Sequence, residues 1–123
     1  MIIKGKNVFL SGPMSDDPEN YHVGDFAVAH NKVKSLGAVF IYDPAIVHLS
    51  RDRSSAKKLT HEDYVTMCLN ELTSFVKGAD RSPLKVYSVV VHLPGWENSP
   101  GAKIEHEVAI ACGIPCIELD ECE

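Results

Sequence analysis

Two hydrophobic periods take turns along this chain. Residues 86–93 (Val86, Tyr87, Ser88, Val89, Val90, Val91, His92, Leu93) are an almost unbroken apolar run of strand length and read as a buried strand. A loop over 94–98 follows, and from Ser99 the spacing becomes helical: Gly101, Ile104, Val108, Ala111 and Cys112 make one apolar stripe that stops at Gly113. Ser99 is a good N-cap, Pro100 suits the first helical position where no N–H is needed, and Gly113 with Pro115 closes the far end. Glu105 falls on the edge of the stripe. Its Cβ tilts toward the helix N-terminus, so its carboxylate is expected to point at the groove above the strand end.

The remainder of the chain repeats this alternation. Residues 7–10 read as a short strand that ends in a Gly/Pro/Ser turn over 11–15. From Tyr21 the positions Phe26, Ala27, Ala29, His30, Val33 and Leu36 have helical period and stop at Gly37; residues 38–42 then read as a second buried strand closed by Asp43 and Pro44. Residues 49–60 are polar, with Arg51, Arg53, Lys57 and Lys58 against Asp52, and two readings stand: a solvated loop, or a lid over an anionic ligand. Thr60 with Asp63 marks a capping-box start for a helix whose apolar face is Tyr64, Met67, Cys68, Leu72 and Phe75. Residues 78–85 read as a polar link, and 114–119 as a last strand before an acidic tail. This order predicts an α/β fold with a mostly parallel sheet of four or five strands and helices on both faces, where ligands bind beyond the carboxyl ends of the strands.

Composition narrows the picture. With 123 residues and 45% hydrophobic content, one domain over 1–123 suffices. A net charge of −5 provides no basic field for a nucleic-acid polymer, although a small anion held by local dipoles remains open. No apolar run is long enough to span a membrane and no signal-peptide core precedes Val8, so a cytoplasmic protein is expected. The four cysteines (Cys68, Cys112, Cys116, Cys122) contain no C-x-x-C pair and are expected to be reduced; their spacing gives little support to a zinc site with His92 or His106, so neither metal nor cofactor is expected.

The carboxyl-edge rule collects the loops 11–15, 43–45 and 94–99. It makes Ser11, Gly12, Met14, Asp43, Gly95, Trp96, Ser99 and Gly101 candidate binding residues around Glu105. Glycines let the backbone approach a ligand, and the free N–H groups at Ser99 form an anion site. A plainer reading accompanies each: Ser99 as a cap only, Glu105 as a surface acid beside Lys103 and Glu107, Trp96 as a plug under its loop rather than a stacking partner for a base.

Three stretches together resemble a known family: Leu10-Ser11-Gly12-Pro13-Met14-Ser15, then Tyr64 with Cys68-Leu69, then Leu93-Pro94-Gly95-Trp96-Glu97-Asn98-Ser99-Pro100-Gly101-Ala102-Lys103-Ile104-Glu105-His106-Glu107. They are similar to the nucleoside 2-deoxyribosyltransferase-like superfamily, in particular to a branch of small phage and bacterial proteins with the pattern LPGW-E-x-S-x-GA-x-x-E, and the resemblance spans nearly the whole chain. It implies a flavodoxin-like (Rossmann-like) three-layer sandwich and cleavage of the N-glycosidic bond of deoxyribonucleosides or their 5′-monophosphates. Glu105 falls on the nucleophile of the S/D-x-G-x-x-x-E motif, and Ser99 on the phosphate-contacting position of the monophosphate branch. The resemblance also implies a homodimer or higher homo-oligomer that completes its site across subunits.

The chain departs from the pattern in two places. Cys68 stands where many relatives carry an Asp near the sugar or base, with Asp63 one turn earlier as a possible substitute. The 78–85 link is longer than usual, which leaves Asp80 without an assigned role. The expected activity is therefore release of free base from a deoxynucleoside monophosphate, with a deoxyribosyltransferase or a non-catalytic nucleotide-binding protein as alternatives. Retention of Glu105 favours an enzyme, since sequestering a nucleotide needs no nucleophile. Asp43, Tyr21 and His106 are the candidates for protonating the departing base.

Overall fold

The structure is a computed structural model that describes residues 1–54 and 59–123. In chain order the elements are β1 (Asn7–Ser11), α1 (Val23–Ser35), β2 (Phe40–Tyr42), α2 (Pro44–Ser54), α3 (His61–Leu72), β3 (Phe75–Lys77), β4 (Pro83–Lys85), β5 (Val89–His92), α4 (Pro100–Ala111) and β6 (Cys116–Glu118). Four strands form one parallel sheet in the order β2-β1-β5-β6, and β3 pairs with β4 as a separate antiparallel hairpin. With helices on both faces, this is the expected flavodoxin-like three-layer α/β fold.

Strand alternation builds two cores from one sheet. Val8, Leu10, Val89, Val91 and Leu93 meet Phe26, Ala29 and Val33 of α1 on one face. On the other, Phe9, Tyr42 and Val90 meet Cys68 and Leu72 of α3 and Ala109 of α4. The chain runs from β1 to β2 in one direction and later reaches β5 on the opposite side of β1, so the carboxyl ends of β1 and β5 flank the switch point where a doubly wound sheet opens a crevice. The loop leaving β1 is held close to the one leaving β5: the Leu93 amide donates to the Ser11 carbonyl at 2.8 Å.

The helix caps follow the sequence closely. Thr60 and Asp63 form the capping box of α3, Ser99 caps α4 by accepting from the Ala102 amide at 3.3 Å, Pro100 is its first residue, and Gly113 takes the positive φ of 74° that ends it.

Five readings need correction. Residues 44–54 form α2, so Pro44 and Ala45 of the 43–45 loop and residues 49–54 of the polar 49–60 segment are helical. Only Pro44, Ala45 and His48 of that helix are buried, so its apolar signal is one turn long, while Asp43 ahead of Pro44 accepts from the Ile46 amide as a helix start. The lid reading falls partly on 55–58, outside the described residues. Residues 75–77 and 83–85 are a hairpin and not a helix end plus a link, and Phe75, 57% exposed, does not belong to the α3 face. The strand within 38–42 is an edge strand whose Phe40 is half exposed rather than buried. The stripe on α4 is also turned: Ile104 and Ala111 face outward, and the buried row is Ala102, Glu105 and Ala109.

Close packing at the switch point leaves no room for a side chain at residue 12, because a Cβ there would sit 2.8 Å from the Cβ of buried Leu93. Gly12→Ala should therefore cost about 1–3 kcal/mol by overpacking, read as a lowered thermal midpoint in circular dichroism. An unchanged midpoint would show that the two loops can move apart freely.

Candidate active site

The helix α4 crosses the carboxyl edge with small residues, Ala102 and Ala109, against the sheet side. That closeness brings Glu105 down to the end of β1, where the Ser11 hydroxyl donates to its Oε1 at 2.7 Å. Glu105 is 8% exposed and Ser11 fully buried. Burial pushes the Glu105 carboxyl up to about 7, and hydrogen bonds from Ser11 and the Cys68 thiol pull part of the way back. The Cys68 thiol, itself buried beside this carboxyl, is pushed far above its ordinary range and stays protonated.

Glu105 lies at a cleft of about 430 Å³ that is also lined by Gly12, Met14, Ser99, Gly101 and Ala102 on the α4 side. The opposite wall is aromatic. His48 of α2 stacks on Tyr64 of α3, with ring centroids 4.1 Å apart and planes 29° apart, and Tyr21 meets His48 edge-on at 5.3 Å. The hydroxyls of Tyr21 and Tyr64 both donate to the Asp52 carboxylate, which ties α2 to α3 and to the segment ahead of α1. Tyr21 and His22 take left-handed backbone (φ 53° at each), a conformation costly for non-glycine residues and often found at ligand sites. His48 has its Nε2 3.4 Å from the Cys68 Sγ and its Nδ1 buried without a hydrogen-bond partner among the described residues; desolvation lowers its pKa to about 4, so it is a neutral ring at physiological pH.

Of the residues expected from sequence, the structure gathers Ser11, Gly12, Met14, Ser99, Gly101 and Glu105 at this cleft. Three lie elsewhere. Gly95 lines a neighbouring cleft of about 580 Å³ on the far side of the Ser99 loop. Asp43 is buried under α2, 3.1 Å from Nδ1 of His30. Trp96, half-buried, packs flat over His92 and His106 and donates its Nε1–H to Glu118, on the flank of α4 away from this cleft. Glu105 sits on the buried face of its helix and is not a surface acid. Among the proton-donor candidates, Tyr21 lines the cleft while Asp43 and His106 do not. Asp63, considered as a substitute for the family Asp at position 68, is exposed and takes part in the α3 cap. His48, Tyr64, Cys68 and Asp52 went unselected, although Tyr64 and Cys68 at i and i+4 already marked one face of α3.

Glu105 binds its proton more tightly in the folded chain than at its ordinary value of 4.5. Between about pH 4.5 and 7 the native state therefore holds more protons than the unfolded state, and stability falls as pH rises through that window, by about 3 kcal/mol in full. Glu105→Gln removes this titration. The variant should match the parent near pH 4 and exceed it by roughly 1–3 kcal/mol at pH 8 in denaturant unfolding. A difference that does not vary with pH would place Glu105 in a solvated setting.

No curated protein and no solved structure matches the chain significantly. No helix among the described residues is long and apolar enough to cross a membrane. The family model of a domain of unknown function, DUF4406, matches residues 6–118 and so takes in every element from β1 to β6, from which it follows that the chain belongs to the DUF4406 family.

Proposed function

We propose that the protein cleaves the N-glycosidic bond of a 2′-deoxynucleoside 5′-monophosphate with Glu105 as nucleophile. The observation that carries this reading is the buried Glu105 carboxyl, oriented by Ser11 at a cleft with small residues on one side and stacked rings on the other. The phosphate sits at the N-terminus of α4, where the capping residue Ser99 lines the cleft and Gly101 has open space at the position a Cβ would take. The base lies against the His48–Tyr64 stack, which leaves C1′ facing Glu105.

The ionised carboxylate attacks C1′, the C1′–N bond breaks with its electron pair leaving on the base, and the base takes up a proton. Water then attacks C1′ of the glycosyl ester, giving its proton to solvent and regenerating the carboxylate, by the logic of retaining glycosidases. Cys68, a neutral hydrogen-bond donor where a carboxylate would repel Glu105, keeps the pair singly charged at most.

Incubation with a panel of deoxynucleosides and their 5′-monophosphates should release free base from a monophosphate. Glu105→Gln should abolish turnover while retaining binding, and turnover retained in that variant removes Glu105 from the mechanism. The phosphorylated ligand should bind roughly a hundredfold or more tighter than the nucleoside, since two charge-assisted bonds supply about 1.5–3 kcal/mol each. Ser99→Asp should erase that preference by repulsion. Equal affinity of the parent for both ligands sinks the phosphate assignment and moves the reading to a deoxyribosyltransferase, which would exchange bases when a second one is added.

We further propose a homodimer, supported by the open mouth of the cleft and by exposed Val28, Val39, Phe40 and Ile46 on α1, the β2 edge and α2. Sedimentation at micromolar concentration should give twice the chain mass of 13.5 kDa, and a clean monomer rejects it.

A further inference from the structure

On the flank of α4 facing away from the cleft, β5, β6 and α4 bring three metal-ligating side chains together. One ring nitrogen each of His92 and His106 and the Sγ of Cys116 all lie within 4.8 Å of one another. His92 Nε2 is already 2.9 Å from His106 Nδ1, and the other nitrogen of His92 is buried with no hydrogen-bond partner among the described residues. The placement follows from topology. Val90 pairs with Cys116 and His92 with Glu118 in the parallel register of β5 and β6, so Cys116 and His92 share one face of the sheet, and α4 lays His106 over that face. Trp96 stacks on both imidazoles, with centroids 4.0 and 4.8 Å away, and thereby covers ring faces while leaving ring edges, where nitrogen lone pairs point, toward Cys116.

We propose that His92, His106 and Cys116 form a binding site for a zinc-class divalent cation, with the fourth position left to solvent. Two imidazoles and a thiolate are a borderline-soft donor set that suits Zn²⁺ and Co²⁺ and does not suit Mg²⁺ or Ca²⁺, which take oxygen. Bond lengths of 2.0–2.3 Å place tetrahedral ligand atoms about 3.3–3.8 Å apart, so the two ring nitrogens, 2.9 Å apart, need to spread by a few tenths of an ångström while the longest separation, up to 4.8 Å, shortens by about 1 Å. His106 and Cys116 are only half-buried and have room to turn. On binding, the cation displaces the proton shared between the two rings, which moves to another ring nitrogen or to solvent, and the Cys116 thiol gives its proton to solvent. The cation then ties β5, β6 and α4 together behind the helix that carries Glu105. This site is independent of the proposed glycosidase reaction.

Titration of the full, reduced chain with Zn²⁺ and with Co²⁺ tests it. Trp96, the only tryptophan, should change its fluorescence with a stoichiometry of one, and Co²⁺ should give visible bands of tetrahedral intensity plus a thiolate charge-transfer band. Zn²⁺ should raise the thermal midpoint in proportion to the logarithm of its concentration. Cys116→Ser should remove the charge-transfer band, and Cys116→Ser and His106→Gln should each weaken binding at least tenfold, while Cys112→Ser changes neither. If Cys116→Ser fails to fold, protection of the parent's Cys116 from alkylation by Zn²⁺, located by peptide mass spectrometry, replaces it as the readout. Absence of saturable binding, a charge-transfer band that survives Cys116→Ser, or unprotected Cys116 would overturn the site and leave the cluster as packing around Trp96.

Discussion

A carboxyl group buried at the end of a β-strand is the constraint on which the other parts of this molecule depend. Removing Glu105 from water disfavours its charge, and the Ser11 hydroxyl and Cys68 thiol return only part of that loss. The arrangement holds only if α4 cannot drift from the sheet. Its beginning is fixed by the Ser99 cap and Pro100, its end by the left-handed Gly113, and its middle by Ala102 and Ala109, whose small side chains let the helix axis come close. Ile114, directly after the helix, is buried in the same core and anchors the return to β6. The functional group and the packing that strains it are therefore parts of one element.

The opposite wall solves a different problem. The segment ahead of α1 and the helices α2 and α3 converge on Asp52, whose carboxylate accepts from two tyrosine hydroxyls at once, and the same tyrosines clamp the neutral ring of His48. Such a wall is aromatic where it lines the cleft, although α2 is polar along most of its length. Rings held by hydrogen bonds at their far ends have little side-chain freedom left to lose.

The sequence showed most where local chemistry decides structure. β1, β5, β6 and both ends of α4 follow from apolar runs, an N-cap, a helix-starting proline and a stop glycine, and the switch point follows from their order. It was less legible where packing overrides pattern. Only one turn of α2 is buried, so nothing in its periodicity separates it from a loop, and its clearest sign is the pair Asp43-Pro44. On α4 the largest apolar residues, Ile104 and Ile110, are 43% and 55% exposed while Ala102 and Ala109 are buried, because closeness to the sheet rewards small side chains over hydrophobic ones. Phe75 and Leu84 point outward on a hairpin that carries no alternation. Trp96 was drawn to the cleft by its loop, but the loop turns its indole toward the imidazoles of β5 and α4.

That last displacement exposes how α4 is used. Successive residues on a helix point about 100° apart, so Glu105 and His106 lean to either side of the line along which α4 meets the sheet. One meets Ser11 of β1; the other meets His92, which pairs with Ser11 across the sheet. The two flanks thus rest on adjacent residues of neighbouring strands, and a rotation of α4 that brought either side chain closer to its partner would carry the other away. With both ends of the helix capped and small residues at its contact with the sheet, sideways shifts are resisted by packing, and rotation is the motion left to be opposed by these two polar contacts. The two contacts therefore set together how α4 is seated on the sheet.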